Sequence, residues 1–231
     1  MEVIRLEHVE KIYSDNGVPV HALRGIDLRI TQGEFTVIAG PSGSGKTTLL
    51  NIMGALDKAS KGKVFLEKEE IGEKSRDEIS AFRLEKLGFV FQAYNLIPVL
   101  TAMENIEFTM MLLGIEEKQR RDRAREVMRE LDIEELADKR PNEMSGGQQQ
   151  RVAVARAIVN NPSIILADEP TANLDSETGA NLLDLMEKMN RDHKLTFIFS
   201  SHDRQVIDRA RRLVILKDGL IERDGNGNAA Q

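Results

Sequence analysis

Three short stretches of this 231-residue chain carry residue types suited to chemistry on phosphate. The first, "GPSGSGKTT", comprises Gly40, Pro41, Ser42, Gly43, Ser44, Gly45, Lys46, Thr47 and Thr48. It fits G-x-x-x-x-G-K-[ST], follows a short apolar run and opens a helical pattern, the context that motif requires. The glycines let backbone N–H groups converge on phosphate oxygens, and the positive end of the following helix adds to the attraction. Lys46 is placed to reach β- and γ-phosphates and the Thr47 hydroxyl to ligate Mg²⁺. The second stretch, "IILADEP", is a buried-type strand ending in two carboxylates. Asp168 suits an outer-shell Mg²⁺ role, and Glu169 beside it suits polarising an attacking water.

The third stretch is "NEMSGGQQQRVAVARAIV". Ser145 and Gln148 have the spacing of a capping box immediately before a helical pattern. Val152, Ala155 and Val159 fall on one face, with Ala153 and Ile158 nearby. The result is a capped helix start whose tip, Ser145, Gly146, Gly147 and Gln148, is glycine-lined and electropositive. Local chemistry leaves two readings open, a cap and nothing more or a holder of an anion. Gln149 and Gln150 are read as helix-surface residues without a site role.

Elements that must position these groups follow from periodicity. The first ~90 residues read as mostly strand, with "EFTVIAG" as a buried parallel strand ahead of the phosphate loop. The text from Thr101 to Lys139 is helical, punctuated by Gly114 and Pro141. Within it Arg120, Arg121, Arg123 and Arg125 read as a solvated helix face. Strands return in "SIILAD", "LTFIFSSHD" and "RLVILKDGLIERDG", and a helix over "SETGANLLDLMEKMN" implies parallel pairing of the first two through a crossover. "KDGL" reads as a turn into a last strand, and the tail "DGNGNAAQ" as frayed.

The bulk numbers bound the classes. A chain 41% hydrophobic and 30% charged is ordinary globular material. Its formal charge of −6 does not draw nucleic acid non-specifically. With no cysteine, thiolate catalysis, disulfides and Cys-based zinc sites are excluded, in keeping with a reducing cytoplasm. No apolar run approaches a membrane span, so a membrane role is expected through a partner and not by direct insertion.

In order along the chain stand a phosphate loop, Gln92, "SGGQ", "ILADEP", "NLD" and a His after an apolar strand. Together they resemble the ATPase subunit of an ABC transporter over essentially the whole chain, "SGGQ" being the specific element. The resemblance implies an α/β fold: a P-loop NTPase core with a mixed sheet, an N-terminal antiparallel β-subdomain and an inserted helical subdomain. It divides the single ATPase domain into 1–91 and 160–231, the ATP-binding core with its β-subdomain, and 92–159, the helical subdomain. It implies ATP and Mg²⁺ as ligands, and a homodimer formed on ATP binding in which one subunit's phosphate loop faces the other's "SGGQ" helix. Carried over by position, Tyr13 stacks on adenine, and Gln92 senses Mg²⁺ and the γ-phosphate. Ser145, Gly146, Gly147 and Gln148 form the contact across the dimer, Asp175 communicates across it, and His202 holds the γ-phosphate. Met144 stands where Leu is usual, and "SSHD" replaces the more frequent apolar-Thr pair before the His.

The segment "VFQAYNLIPVLTAMENI" is similar to the branch of lipoprotein-releasing and macrolide-exporting ATPases. Leu96, Ile97, Val99 and Leu100 either line a groove for a permease helix or pack inside the helical insert. The expectation is an ATP hydrolase at the cytoplasmic face of the inner membrane that powers a separate integral-membrane permease. The alternative is a regulatory, cell-division-type ATPase that gates a periplasmic partner without transport.

Overall fold

A computed structural model describes residues 1–14 and 17–227. Two sheets meet along the chain. The first pairs β1 (Glu2–Tyr13) antiparallel with β2 (Val20–Thr31) and with β4 (Lys61–Leu66), and β5 (Glu69–Glu70) closes its edge. The second has six strands. These are β3 (Phe35–Ala39), β6 (Leu87–Val90), β7 (Ile164–Asp168), β8 (Thr196–Ser200), β9 (Arg212–Lys217) and β10 (Leu220–Asn226), ordered β10-β9-β3-β8-β7-β6. All its pairings are parallel except β10 with β9. The expected crossover is present: β7 and β8 pair in parallel around α6 (Ser176–His193).

Why these strands are central follows from their side chains. Successive residues point to opposite faces, so a strand covered on both sides must be apolar throughout. In β8, Phe197 and Phe199 enter one core while Ile198 enters the other. In β7, Ile165 and Ala167 face the first core, Ile164 and Leu166 the second. The first core lies under α3 (Ala102–Leu112), α4 (Glu117–Glu130), α5 (Gly146–Ile158) and α6. The second joins the β1–β2–β4 sheet to α1 (Lys46–Met53) and α2 (Arg76–Lys86).

Several sequence expectations change. The first 90 residues hold α2 as well as α1; α2 starts on a Ser75–Glu78 capping box that a strand reading overlooks. A short α7 (Arg204–Asp208), capped by Asp203, was also not anticipated. The arginine run is not one solvated face. Arg120 lies 3.3 Å from Glu107, whose side chain is 9% exposed, and Arg123 donates to the Val159 carbonyl at 3.3 Å and to Asn161 Oδ1 at 2.8 Å. Arg121 and Arg125 do stay exposed. Asp224, Gly225 and Asn226 are not frayed but belong to β10, where Asp224 pairs with Arg212 at 2.7 Å. The last four residues of that tail lie outside the described ones.

Candidate active site

Parallel strands end at the same edge of a sheet, and in open α/β sheets that carboxyl edge is where ligands bind. Here β3, β8 and β7 are neighbours, so their C-terminal ends deliver the 40–48 loop, Ser200-Ser201-His202 and Asp168-Glu169 side by side. The register is direct: Ile38 pairs with Ser200, and Ser200 with Asp168.

The loop after β3 turns into α1 through Gly45, whose φ of 103° lies in the left-handed region. A Cβ there would come 2.5 Å from the Ala22 carbonyl oxygen, so only glycine fits. The α1 N-terminus has neither a side-chain cap nor an acidic residue in its first turn, so its positive end is left uncompensated. Lys46 is buried and folds back on its own loop, donating to the Gly40 and Pro41 carbonyls at 2.8 and 3.0 Å. The Ser44 hydroxyl is buried without a hydrogen-bond partner. A buried orphan hydroxyl beside a free helix N-terminus suits a ligand rich in oxygen, such as a polyphosphate.

Across the edge, the Thr47 hydroxyl donates to Asp168 Oδ1 at 3.3 Å. Burial pushes the Asp168 carboxyl above its usual range; the Ser200 and Thr47 hydroxyls oppose this, Glu169 adds to it, and Lys46 opposes it. Thr47 and Asp168 form an oxygen-only donor pair, the ligand type of a hard divalent cation. Among the described residues no three His, Asp or Glu side chains converge as an all-protein metal site. The Thr47–Asp168 pair fits Mg²⁺ held jointly with nucleotide phosphates.

A stability consequence follows with a definite sign. A carboxyl whose folded pKa is raised binds more protons folded than unfolded, so stability falls as pH rises between the two values. That penalty is complete above the folded value. Asp168→Asn removes it, and the nucleotide-free variant is expected to melt at a higher temperature at neutral pH. The gain is expected to shrink as pH falls toward about 4. Differential scanning across that range checks it; a lower melting temperature at neutral pH would contradict the assignment.

Glu169 follows β7 with a φ of 46°, unusual for a residue with a side chain. Its backbone N–H donates to the Ser200 carbonyl at 2.9 Å. Its carboxylate is held at both oxygens, by Ser201 Oγ at 2.8 Å and His202 Nδ1 at 2.6 Å. The His202 ring is otherwise open, its side chain 72% exposed.

Of the remaining expected residues, Tyr13 meets the 40–48 loop through Thr48. Tyr13, at the end of β1, donates its hydroxyl to Asp57 Oδ2 at 2.8 Å, and Lys11 lies 4.8 Å from the ring centroid. Burial, then the Asp57 hydrogen bond, raises the Tyr13 pKa, and Thr48 works against it. Gln92 is exposed; among the described residues its main-chain carbonyl is engaged by Asn173 Nδ2 at 2.9 Å. Ser145 caps α5 as expected: its hydroxyl accepts from the Gln148 N–H at 3.3 Å, and Gln148 Oε1 accepts from the Ser145 N–H at 2.9 Å. Among the described residues no hydrogen bond joins this tip to the 40–48 loop. Asp175 caps α6 with bonds from the Glu177 and Thr178 N–H groups. A Cβ on Gly147 would stand 2.4 Å from Thr178 Cγ2, so the tip and the Asp175 cap touch through Thr178.

Sequence reasoning missed three supports. Gln150 is not on the helix surface: it is fully buried and donates to the Pro170 carbonyl at 2.8 Å and the Phe91 carbonyl at 3.5 Å. The signal was there, because Ala153, Val154 and Ala157 make α5 apolar on Gln150's face too. Arg156 donates to the Tyr94 and Asn95 carbonyls at 2.9 and 2.5 Å, pinning two residues in the left-handed region. Asp57, which anchors Tyr13 and also Lys11 at 2.6 Å, lies in a loop with no motif to mark it.

The family model for ABC transporter matches residues 23–172. The chain belongs to the ABC transporter family, as an ATP-binding cassette. It is 46% identical over 221 residues to an ABC transporter ATP-binding protein of Thermotoga maritima, covering 96% of this chain and 94% of that one. The dimeric structure of MJ0796, a bacterial ABC transporter cassette, superposes with a TM-score of 0.90 at 44% identity, covering 96% of this chain and 98% of that one. MJ0796, which also appears among the sequence relatives from Methanocaldococcus jannaschii, is likewise known as a post-hydrolysis dimer bound to ADP and Pi. The macrolide export ATP-binding/permease protein MacB of Syntrophobacter fumaroxidans is 41% identical over 224 residues, 96% of this cassette but 31% of that protein. The fold is accordingly the ABC cassette fold, with its antiparallel N-terminal β-subdomain and helical subdomain. The cassette is an ATPase related to MacB-type export ATPases.

Proposed function

We propose that this cassette hydrolyses Mg·ATP in a head-to-tail homodimer and thereby drives a separate membrane permease, in export or lipoprotein release. The observation that carries the permease reading is an apolar groove of about 560 Å³ behind the Gln92 loop. Leu56, Phe89, Phe91, Ile97, Phe108 and Leu112 line it, and Leu56 and Leu112 are large apolar side chains left about half exposed. A patch of this kind on a soluble domain marks a partner site. Arg156, which also lines the groove, holds the Tyr94 and Asn95 carbonyls, so an occupant would bear on the loop that carries Gln92. Of the four loop residues with two readings, Ile97 lines this groove and Leu96 packs on the core, while Val99 is 73% exposed in a separate hollow with Pro98, Arg140 and Asn142, and Leu100 is half-buried. Export is favoured because MacB and the pyoverdine exporter PvdT of Pseudomonas aeruginosa join such a cassette to a permease in one protein.

In the hydrolytic step the 40–48 loop and Lys46 hold the phosphates, and Tyr13 stacks on adenine. Mg²⁺, held by Thr47, Asp168 and Gln92, would neutralise charge on the phosphate oxygens. Glu169 takes the proton of the attacking water or orients it. His202, turning from Glu169, meets the γ-phosphate, and the 145–148 tip of the partner closes the site while Asp175 links the two. Residues 1–91 with 160–231 form the ATP-binding half, and 92–159 the half that moves the tip. No helix among the described residues is long and apolar enough to cross a membrane.

Leu112→Glu places a charge in the groove and tests the permease reading. The tagged variant is expected to leave the membrane fraction, with ATP binding measured on the same sample to verify the fold. Membrane association equal to the parent would overturn it.

A further inference from the structure

The two serines before His202 were noted in the sequence only as a departure from an apolar-Thr pair. In the fold they lie at the end of β8, between the phosphate loop on β3 and the carboxylates on β7. Ser200 stands in register with Asp168. Ser201 is fully buried, and its backbone N–H is fixed to the Ile38 carbonyl of β3 at 3.1 Å. Its hydroxyl donates to Glu169 Oε2 at 2.8 Å and accepts from the Asp203 N–H at 3.1 Å. Asp203 is itself held, because Oδ2 accepts from Thr171 Oγ1 at 2.9 Å and Oδ1 from the Gln205 N–H at 2.9 Å. Thr171 lies two residues beyond Glu169, so the bonds Glu169–Ser201, Ser201–Asp203 and Asp203–Thr171, closed by the main chain from 169 to 171, form a ring between the ends of β7 and β8.

The ring has a direction. A serine has one hydroxyl proton, and here the Asp203 N–H occupies an acceptor lone pair, which leaves that proton to Glu169. The other carboxylate oxygen, Oε1, is bonded to an exposed ring that can swing away. We propose that Ser201 is the positioning residue for Glu169: it holds Oε2 rigidly in the ring, so that Oε1, once His202 leaves, faces the attacking water in a set orientation. This rests on the reading of Glu169 as the group that acts on water. Ser201 does not touch the substrate, so its removal is expected to act on turnover and not on ATP affinity. Preorganisation of this kind is sensitive to small displacements of the reacting group.

The test is a set of four variants under single-turnover and steady-state conditions: Ser201→Ala, Ser201→Cys, Ser201→Thr, and Ser201→Ala combined with Glu169→Gln. Ser201→Ala is expected to lower kcat by about 10- to 100-fold, the range for losing one hydrogen bond to a charged group, with KM for ATP within about twofold. Ser201→Cys keeps the size but supplies only a weak donor, and is expected to lose activity in the same direction. Should Ser201→Ala not fold, Ser201→Cys carries the test. Ser201→Thr, which keeps the hydroxyl, is expected to restore most of kcat. In the Glu169→Gln background, Ser201→Ala is expected to slow residual hydrolysis no further, because both changes act on one group. Wild-type kcat in Ser201→Ala or Ser201→Cys beside a slow Glu169→Gln would overturn the role of Ser201 and leave that of Glu169 standing. An equal loss in both backgrounds would also overturn it. Wild-type turnover in Glu169→Gln alone would instead remove the reading on which it rests.

Discussion

Glu169→Gln is expected to slow ATP hydrolysis by about 10³-fold, within the range for losing a positioned general base, while ATP still binds. The substitution keeps the shape of the side chain. Its amide oxygen can still accept from Ser201, and its amide nitrogen can still meet His202 Nδ1, so both contacts of the carboxylate survive. The backbone at φ 46° is fixed by its own bond to the Ser200 carbonyl and is not altered by the side-chain change. What disappears is the capacity to take a proton from water. If hydrolysis reopens the dimer, a chain that binds but does not hydrolyse accumulates in the closed form. Size-exclusion in Mg·ATP is then expected to move the variant from 25.9 kDa to twice that mass. A monomer at saturating ATP, or hydrolysis near the wild-type rate, would contradict the account.

Ser145→Arg is expected to abolish hydrolysis, by more than about 100-fold, the scale of losing transition-state contacts in a closed site, while ATP affinity of the monomer changes little. Ser145 is exposed, and among the described residues its side chain has one partner, accepting from the Gln148 N–H at the start of α5. Losing that cap costs about 1 kcal/mol. The reciprocal bond from the Ser145 N–H to Gln148 Oε1 does not need the hydroxyl and remains. The helix itself is also secured beyond its first turn, by Gln150 on the Pro170 carbonyl and Arg151 on the Leu131 carbonyl. A long cation at the tip therefore disturbs the approach of a second copy more than the fold of its own. Titration with a fluorescent ATP analogue separates the two effects. A collapse of affinity together with activity would make the tip part of its own chain's site.

The groups that act along one strand end were the most legible in the sequence. An apolar run followed by "GPSGSGKTT", or by two carboxylates, declares both the strand and what it carries, because burial and loop geometry are local. The capping box of α5 was legible for the same reason. Less legible was everything that depends on two distant segments meeting. Gln150 looks like its neighbours until Phe91 and Pro170 are brought against it. Arg120 reads as one of four surface arginines until α3 places Glu107 beside it. Asp57 and Ser201 belong to no motif, yet each fixes a residue that does, Tyr13 in one case and Glu169 in the other. Helix α2 was lost because its mean polarity hid two buried side chains, Ile79 and Phe82, spaced at three residues.

The central claim is that the phosphate loop of one copy works with the 145–148 tip of another. Two variants inactive alone, Lys46→Ala and Ser145→Arg, test it when mixed. In a two-fold head-to-tail dimer, the mixed pair has one site with both changes and one with neither. Equimolar mixing is therefore predicted to recover roughly a quarter of wild-type ATPase activity, since half the dimers are mixed and each has one of two sites intact. A mixture as inactive as either variant alone would contradict the shared site.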